Sequence, residues 1–507
     1  MAGFGDVINI LPILKHISES YAKPHLVISR EFASILEGVS YVEPFPVDFD
    51  LTRMAPAIAM ARERFAHVIV AQPWSKDVHS EHHTESYNKE SWRMAGFLHK
   101  FNDPAWFPVF DRRNLAREEA LAAKLGVPDK PMLLVKLDGS VSSPCPECPK
   151  LLPLIGERFG QDFNVINLSS VRAERIYDLL GLFDRAASLI SIDTSLLHLA
   201  AASPVPFVAL TNPQPWLGTL PRGNCVRRLA YSEALAEPEK VVESIQAAIS
   251  QGRKEIAVAE LRQPPVRRLF HCVERHTQPA DKRKLAAWAS WDRLYAQGVI
   301  PCHLWEYPRD ATSIGDRRKL PYLKDVLKLA LDQANNEDII FFTNDDNWLH
   351  PSLPVLRFHV SLYGACSSQR CEFRGSKRLI PNMTPQGIAQ MSERHIGRDL
   401  FAFTKEWLVT HWDELGDPIL GASDWDFMLA CLIRLQFGIV STRNNLEQPL
   451  PPAEIERGYV AHVFHRPEWM RSGNEAKAPS QQHNRAIFRR WAATRLPDLK
   501  FDGQGRI

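Results

Sequence analysis

The sequence has no long apolar run. In its 507 residues, nowhere do the roughly 20 uncharged apolar residues that a membrane helix needs stand together, so no membrane span is expected. It has little net charge, with 61 Lys and Arg against 59 Asp and Glu. Bulk electrostatics therefore gives no reason to expect a nucleic-acid or membrane partner. Cysteines are few, 8 in all, too sparse for a disulfide scaffold, and reduced thiols in a cytoplasm are expected. The opening MAGFGDVINILPILKH has no basic stretch ahead of its apolar residues, which Asp6, Asn9 and Pro12 interrupt, so no secretory signal is expected and the expected location is cytoplasmic. No internal repeat recurs at a fixed period.

What is present suits a globular enzyme. Hydrophobic residues make up 45% and charged residues 24%, and at roughly 150 residues per domain the length allows about three compact units. Cys145 and Cys148 form one CPEC pair with no second pair at zinc-ribbon spacing, so it reads as a proline-stiffened loop.

Short β-branched or apolar runs alternate with helical stretches through the first half. HLVIS (25–29), HVIVAQ (67–72), MLLVKL (132–137), FNVINLSS (163–170), SLISID (188–193) and FVALT (207–211) read as buried strands. AREEALAAKLG and AERIYDLLGLFDRAA read as helices between them. PAWFPVFDRRN reads as a crossing between two layers, and QGRKEIAVAELRQPPV (251–266) as a helical exit and proline-stiffened linker. A new α/β pattern follows, with strands at RRLFHCVER, VIPCHLWEY, DIIFFTNDD, GACSSQRCEF and RDLFAFTKEWL and helices at KRKLAAWASWDRLYAQG and LKDVLKLALDQAN. The polar tail reads as a loose extension with a short final helix. The expected fold class is α/β, with boundaries at 1–125, 126–255, 266–470 and 471–507.

Two segments of the first half carry chemistry. GFGDVINILPILKHI (3–17) places glycines and Asp6 at a helix mouth, where backbone can approach a ligand closely. In IDTSLLHLAAASPVPFVAL (192–210) a strand ends at Asp193-Thr194-Ser195 and a helix opens, with His198 one turn in. Hydroxyls and free N–H groups at such a turn suit a phosphate. Gly5-Asp6…Leu11-Pro12 and Asp193-Thr194-Ser195…His198-Leu199-Ala200-Ala201-Ala202 together resemble the heptosyltransferase-like family of glycosyltransferases, family 9, over about the first 250 residues. The resemblance implies a GT-B fold of two Rossmann-like domains. It implies Asp6 as the catalytic base, with Asp193, Thr194, Ser195 and His198 at the donor diphosphate and Lys150 as a further phosphate contact. Ser195 stands where that family has glycine.

In the second half an apolar strand delivers Asp345 and Asp346, in DIIFFTNDDNWLHPSL (338–353), to its C-terminal end, where α/β sheets bind ligands. Paired carboxylates are hard ligands for Mg²⁺ or Mn²⁺. Then come Asp424 and Asp426 in DPILGASDWDFMLACLIR (417–434), and His462 and His465 in GYVAHVFHRPEW. This order resembles GT-A glycosyltransferases over about residues 266–470. It implies Asp346 and Asp345 on a metal with His465 or His462, Asp424 as the base of an inverting transfer, and Asp426 at acceptor hydroxyls or as a helix cap. Arg317, in SIGDRRKLPYLKD, is placed to meet donor phosphate.

The expected protein is thus a hexosyl- or heptosyltransferase, metal-dependent in its second module and bifunctional if both modules act. Its partners would be a nucleotide-sugar donor and a glycan or other hydroxyl acceptor. Two alternatives stand beside it: a non-enzymatic sugar-nucleotide or glycan binder, and a glycosyltransferase acting on nucleic acid through a local basic channel.

Overall fold

Strands with buried apolar runs set the frame. In the first half, MLLVK (β3, Met132–Lys136), NVIN (β4, Asn164–Asn167), AASLISI (β5, Ala186–Ile192), FVALT (β6, Phe207–Thr211) and CVRRLA (β7, Cys225–Ala230) form a five-stranded sheet in the order β4-β3-β5-β6-β7. Every pairing is parallel, and β6 is buried along its whole length, as a strand covered on both faces must be. Leu133, Val135, Ile190, Val208 and Leu210 form the core with Val241 and Ile245 of the helix Pro238–Gln251. Ahead of it lies a small parallel pair, β1 (His25–Ser29) and β2 (Glu43–Val47). Pro44 and Pro46 suit β2 to an edge, since proline cannot donate to a ladder.

In this computed structural model, residues 3–48, 54–73, 86–126, 130–139, 144–212, 220–252, 261–274, 282–305, 321–373, 383–420, 425–437, 454–455, 459–463 and 479–495 are described. The chain divides into two compact units, Met1–Pro264 and Pro265–Ile507.

The second unit holds a mixed sheet. Its path is β11-β15-β12-β13-β10-β8-β9, with β14 beside β12. The strands are β8 (Leu269–Glu274), β9 (Ile300–Leu304), β10 (Ile339–Thr343), β11 (Asn347–Leu349), β12 (Ala365–Phe373), β13 (Ser392–Thr404), β14 (Glu454–Ile455) and β15 (Val460–Val463). β8, β9 and β10 run parallel, and β13 is antiparallel to both β10 and β12. Trp291 of the helix Lys282–Ala296, which is 1% exposed, fills the core beneath β8 and β10.

Both sheets have a topological switch. β3 sends the chain to β4 on one side and β5 lies on the other; β8 likewise has β9 and β10 on opposite sides. Ligands of α/β sheets bind beyond the strand C-termini at such points, which is where the Asp193-Thr194 and Asp345-Asp346 turns fall.

Several expectations need correction. HVIVAQ (67–72) forms no strand: the run is half-buried, with no partner strand among the described residues, and an apolar run alone cannot distinguish these cases. Among the described residues the first Rossmann-like half therefore has only the β1–β2 pair. AERIYDLLGLFDRAA forms a 3₁₀ turn, Ile176–Leu179, and one helical turn, Leu180–Phe183, before β5 takes its last residues. RDLFAFTKEWL is strand only to Thr404, whose hydroxyl then accepts the Trp407 N–H at 3.1 Å and starts a helix. The tail contains a 17-residue helix, Pro479–Arg495. Ile487, Phe488 and Trp491 are buried at its i, i+1 and i+4 positions, and Asn484 bonds both backbone groups of Ile419 at 2.8 and 2.9 Å. That apolar stripe was hidden by a polar composition.

Candidate functional site

The first unit brings its two motifs together. The helix Phe4–Ser20 packs against the short helix Ser195–Leu199. The approach is close: a Cβ on Gly5 would lie 2.9 Å from His198 Cδ2 and 3.6 Å from Ser195 Cα. Gly5 is thus inside the helix rather than before it, and its missing side chain sets the spacing. Asp6, in the first helical turn, is half-buried beside Tyr87. The Tyr87 hydroxyl is held far toward its neutral form by burial first, then by the charge of Asp6 and a hydrogen bond to it. It also donates to Gln72 Oε1 at 2.7 Å.

Asp193 follows β5, is 5% exposed, and its backbone N–H donates to the Tyr231 hydroxyl at 3.3 Å. Thr194 caps the next helix, accepting the Leu196 N–H on Oγ1 at 3.3 Å, and its carbonyl accepts the Leu197 N–H at 3.0 Å. The expected open N–H groups are therefore partly used, and the helix is only 5 residues long before a 3₁₀ turn. His198 is half-buried; burial, and second the charge of Arg222, push its pKa down to about 4. It is a neutral imidazole at neutral pH. Lys150 stands exposed on the turn Cys148–Leu151, and no contact among the described residues joins its side chain to Asp193, Thr194 or Ser195. The CPEC pair is buried in the core of the β3–β7 sheet, where burial raises the Cys148 thiol pKa.

A chain of amides holds this site together. Trp92 Nε1 donates to the Asn9 carbonyl at 3.1 Å, Asn9 Nδ2 to the Asn88 carbonyl at 3.2 Å, and Asn88 Nδ2 to the Leu220 carbonyl at 2.6 Å. Asn9 lies one turn beyond Asp6, so the same helix face carries both. Tyr87, Asn88 and Arg222 went unseen in the sequence; Arg222 is separated from Asp6 by most of the unit, and no local pattern marks it.

In the second unit the Asn344-Asp345-Asp346 turn follows β10. Lys284 pairs with the Asp345 carboxylate, and Trp288 Nε1 donates to the Asp345 carbonyl at 3.2 Å. Even so the Asp345 carboxyl is raised, by burial first, with the charges of Asp346 and Glu274 adding to the effect against Lys284. The balance favours an added cation. Among the described residues no three His, Cys, Asp or Glu side chains gather closely enough to hold a metal. His462 pairs through its backbone with Asn347 on one side and Glu372 on the other. Asp424, Arg317 and His465 lie outside the described residues.

Asp426 is tied to the backbone of a neighbouring strand. It is half-buried in the first turn of the helix Trp425–Leu435, and its carboxylate accepts the Arg398 N–H of β13 at 3.2 Å. Burial first, then the charge of Asp399, raise its pKa to about 6. Asp399 is the hub that sequence reasoning missed. It accepts from Asn344 Nδ2 at 3.2 Å, its carbonyl accepts from Asn347 Nδ2 at 3.2 Å, and it lies 3.4 Å from Arg370, which also pairs with Glu372 at 2.6 Å. The Asn344–Asp346 turn and the Asp426 helix are therefore joined through one buried charge network.

No family model and no curated protein matches the chain. Among solved structures, a family 9 glycosyl transferase from Veillonella parvula is similar at 14% identity and a TM-score of 0.36, over 50% of this chain and 96% of that one. The E. coli ADP-heptose LPS heptosyltransferase II gives 12% and 0.37, over 49% and 98%. An E. coli heptosyltransferase with ADP-2-deoxy-2-fluoro heptose gives 15% and 0.31, over 48% and 99%. Likeness this distant carries no function to the chain.

Proposed function

We propose that the protein is a glycosyltransferase that moves a sugar from a nucleotide-sugar donor to a hydroxyl of a glycan or other acceptor. One observation carries the reading: Gly5-Asp6 and Ser195/His198, far apart in sequence, meet beyond a sheet switch point. Asp6 takes the proton of the acceptor hydroxyl as its oxygen attacks the anomeric carbon, and the nucleoside diphosphate leaves with the electrons of the broken bond. The Asp193–Ser195 turn lies on the donor side, and neutral His198 offers one ring N–H to a phosphate or sugar oxygen.

The second unit is a separate, metal-dependent and inverting centre of GT-A type. The acidic excess at Asp345 and Asp346 fits a hard divalent cation, and His462 and His465 are the further candidate ligands. Mn²⁺ or Mg²⁺ there would offset the charge of the leaving diphosphate. Asp424 acts as base, Asp426 anchors the helix that follows it, Lys284 orients Asp345, and Arg317 meets the donor phosphates. The protein then adds two sugars by two chemistries.

The test is nucleotide release from a panel of sugar nucleotides by the full chain and by Asp6→Asn. Loss of a positioned base costs about 10²–10⁴-fold, and that loss should appear with chelator present. Chelator-resistant release that Asp6→Asn leaves unchanged would overturn the role of Asp6.

A further inference from the structure

Arg222 is a half-buried guanidinium that no acid pairs among the described residues. Its Nε donates to the Phe101 carbonyl at 3.1 Å and its Nη2 to the Trp106 carbonyl. Its carbon lies 4.2 Å from the centroid of the Trp92 ring, which is 0% exposed. Two carbonyls and an aromatic face hold the group in place, yet none carries a full negative charge. Among the described residues Arg222 forms no ion pair; Asp103 acts on it only from a distance and is itself bonded to Lys100 at 3.3 Å and to the Ala105 N–H at 3.0 Å. Nη1 carries no hydrogen bond within the described residues.

A cation placed so costs free energy until an anion joins it. Gly223, next in the chain, packs on the turn that follows the His198 helix, where a Cβ would meet Ala201 Cα at 2.8 Å, so Arg222 and His198 stand on adjoining segments. Burial lowers the Arg222 pKa to about 10, and its charge adds to the burial that lowers that of His198. The placement is also rigid, because the Asn88–Leu220 hydrogen bonds, at 2.6 and 3.0 Å, fix the segment leading into Arg222.

We propose that Arg222 and His198 form an anion subsite that takes a phosphate-class oxyanion of the ligand beside Asp6. The Nη1 edge donates to one oxygen and the neutral imidazole to another, so a charge-assisted bond replaces solvent on the guanidinium. The subsite rests on the glycosyltransferase reading only for which molecule brings the oxyanion, either the donor diphosphate or a phosphorylated acceptor; binding is measured without turnover.

The experiment titrates the full chain with inorganic pyrophosphate and with methyl phosphate, followed by calorimetry and by the ring resonances of His198, assigned with His198→Gln. Binding to the wild type should raise the His198 pKa, since a nearby anion favours imidazolium. Arg222→Gln should weaken binding at least about tenfold, and Arg222→Lys, which keeps charge but loses the planar fork, should weaken it less. Tighter binding of pyrophosphate assigns the subsite to the donor; tighter binding of methyl phosphate assigns it to the acceptor. The proposal is overturned if neither anion shifts His198 in the wild type. It is also overturned if Arg222→Gln binds as the wild type does or, should that variant fail to fold, if Arg222→Lys does. Anion binding without any sugar transfer would leave the subsite standing and remove the functional reading instead.

Discussion

The two units set opposite charge around their candidate sites. Around Asp6 lie a neutral imidazole and a neutral phenol, and Arg222, which forms no ion pair among the described residues, acts on that imidazole. Asp345 feels the charges of Asp346 and Glu274 against that of Lys284, and Asn344 of the same turn leads through Asp399 to Arg370, Glu372 and Asp426. The first environment can receive a diphosphate directly. The second would repel one unless a cation came with it. On the proposed function, this contrast is why one centre would work without a metal and the other would need one.

The strongest way to break this contrast is Asp346→Ala. It should abolish chelator-sensitive transfer by at least about 10²-fold while leaving chelator-resistant transfer in place, measured as nucleotide release with and without Mn²⁺. Next comes Gly5→Ala. The added methyl meets His198, so overpacking should cost about 1–3 kcal/mol and reduce the Asp6-dependent activity, read by denaturant melts and by rate. If both stay at wild-type values, the close helix approach does not shape the site.

Smaller effects sharpen the comparison through pH. Asp426 is raised from 3.8 to about 6, so the folded state holds its proton more tightly and stability falls as pH rises through that window. Asp426→Asn should therefore melt above the wild type at pH about 8 and converge with it at pH about 4. His198 is lowered from 6.5 to about 4, so its contribution is complete above 6.5 and is lost as pH falls toward 4. His198→Gln should remove that part of the slope. The smallest effect belongs to Lys150→Ala: the side chain is exposed, and a change within about 0.5 kcal/mol is expected.

Much of the fold was legible because buried parallel strands announce themselves. MLLVK and FVALT are apolar up to their last residues, Lys136 and Thr211, and both became interior strands. HVIVAQ looked the same and formed none, because pairing is decided by a neighbour that a window of sequence does not contain. β7 was missed for the converse reason, since CVRRLA is polar at its exposed positions. Among the candidate site residues, Asp6, His198 and the Asp345 turn were named from motif order. Asp399, Lys284 and Arg222 were not. Each matters through a partner distant in sequence: Asp399 through Asn344, Lys284 through Asp345, and Arg222 through the Phe101 and Trp106 carbonyls. A charged residue inside a strand, on a loop or in a helix's first turn looks like surface until the sheet assembles around it.

The central claim is two transfer centres of opposite charge in one chain. Its most direct test is nucleotide release by the full-length wild type, Asp6→Asn and Asp346→Ala on a sugar-nucleotide panel, each with Mn²⁺ and with chelator. The account predicts two separable activities: one resistant to chelator and lost in Asp6→Asn, the other lost with chelator and in Asp346→Ala. A single activity that both substitutions leave intact, or no release from any donor in either condition, would contradict it.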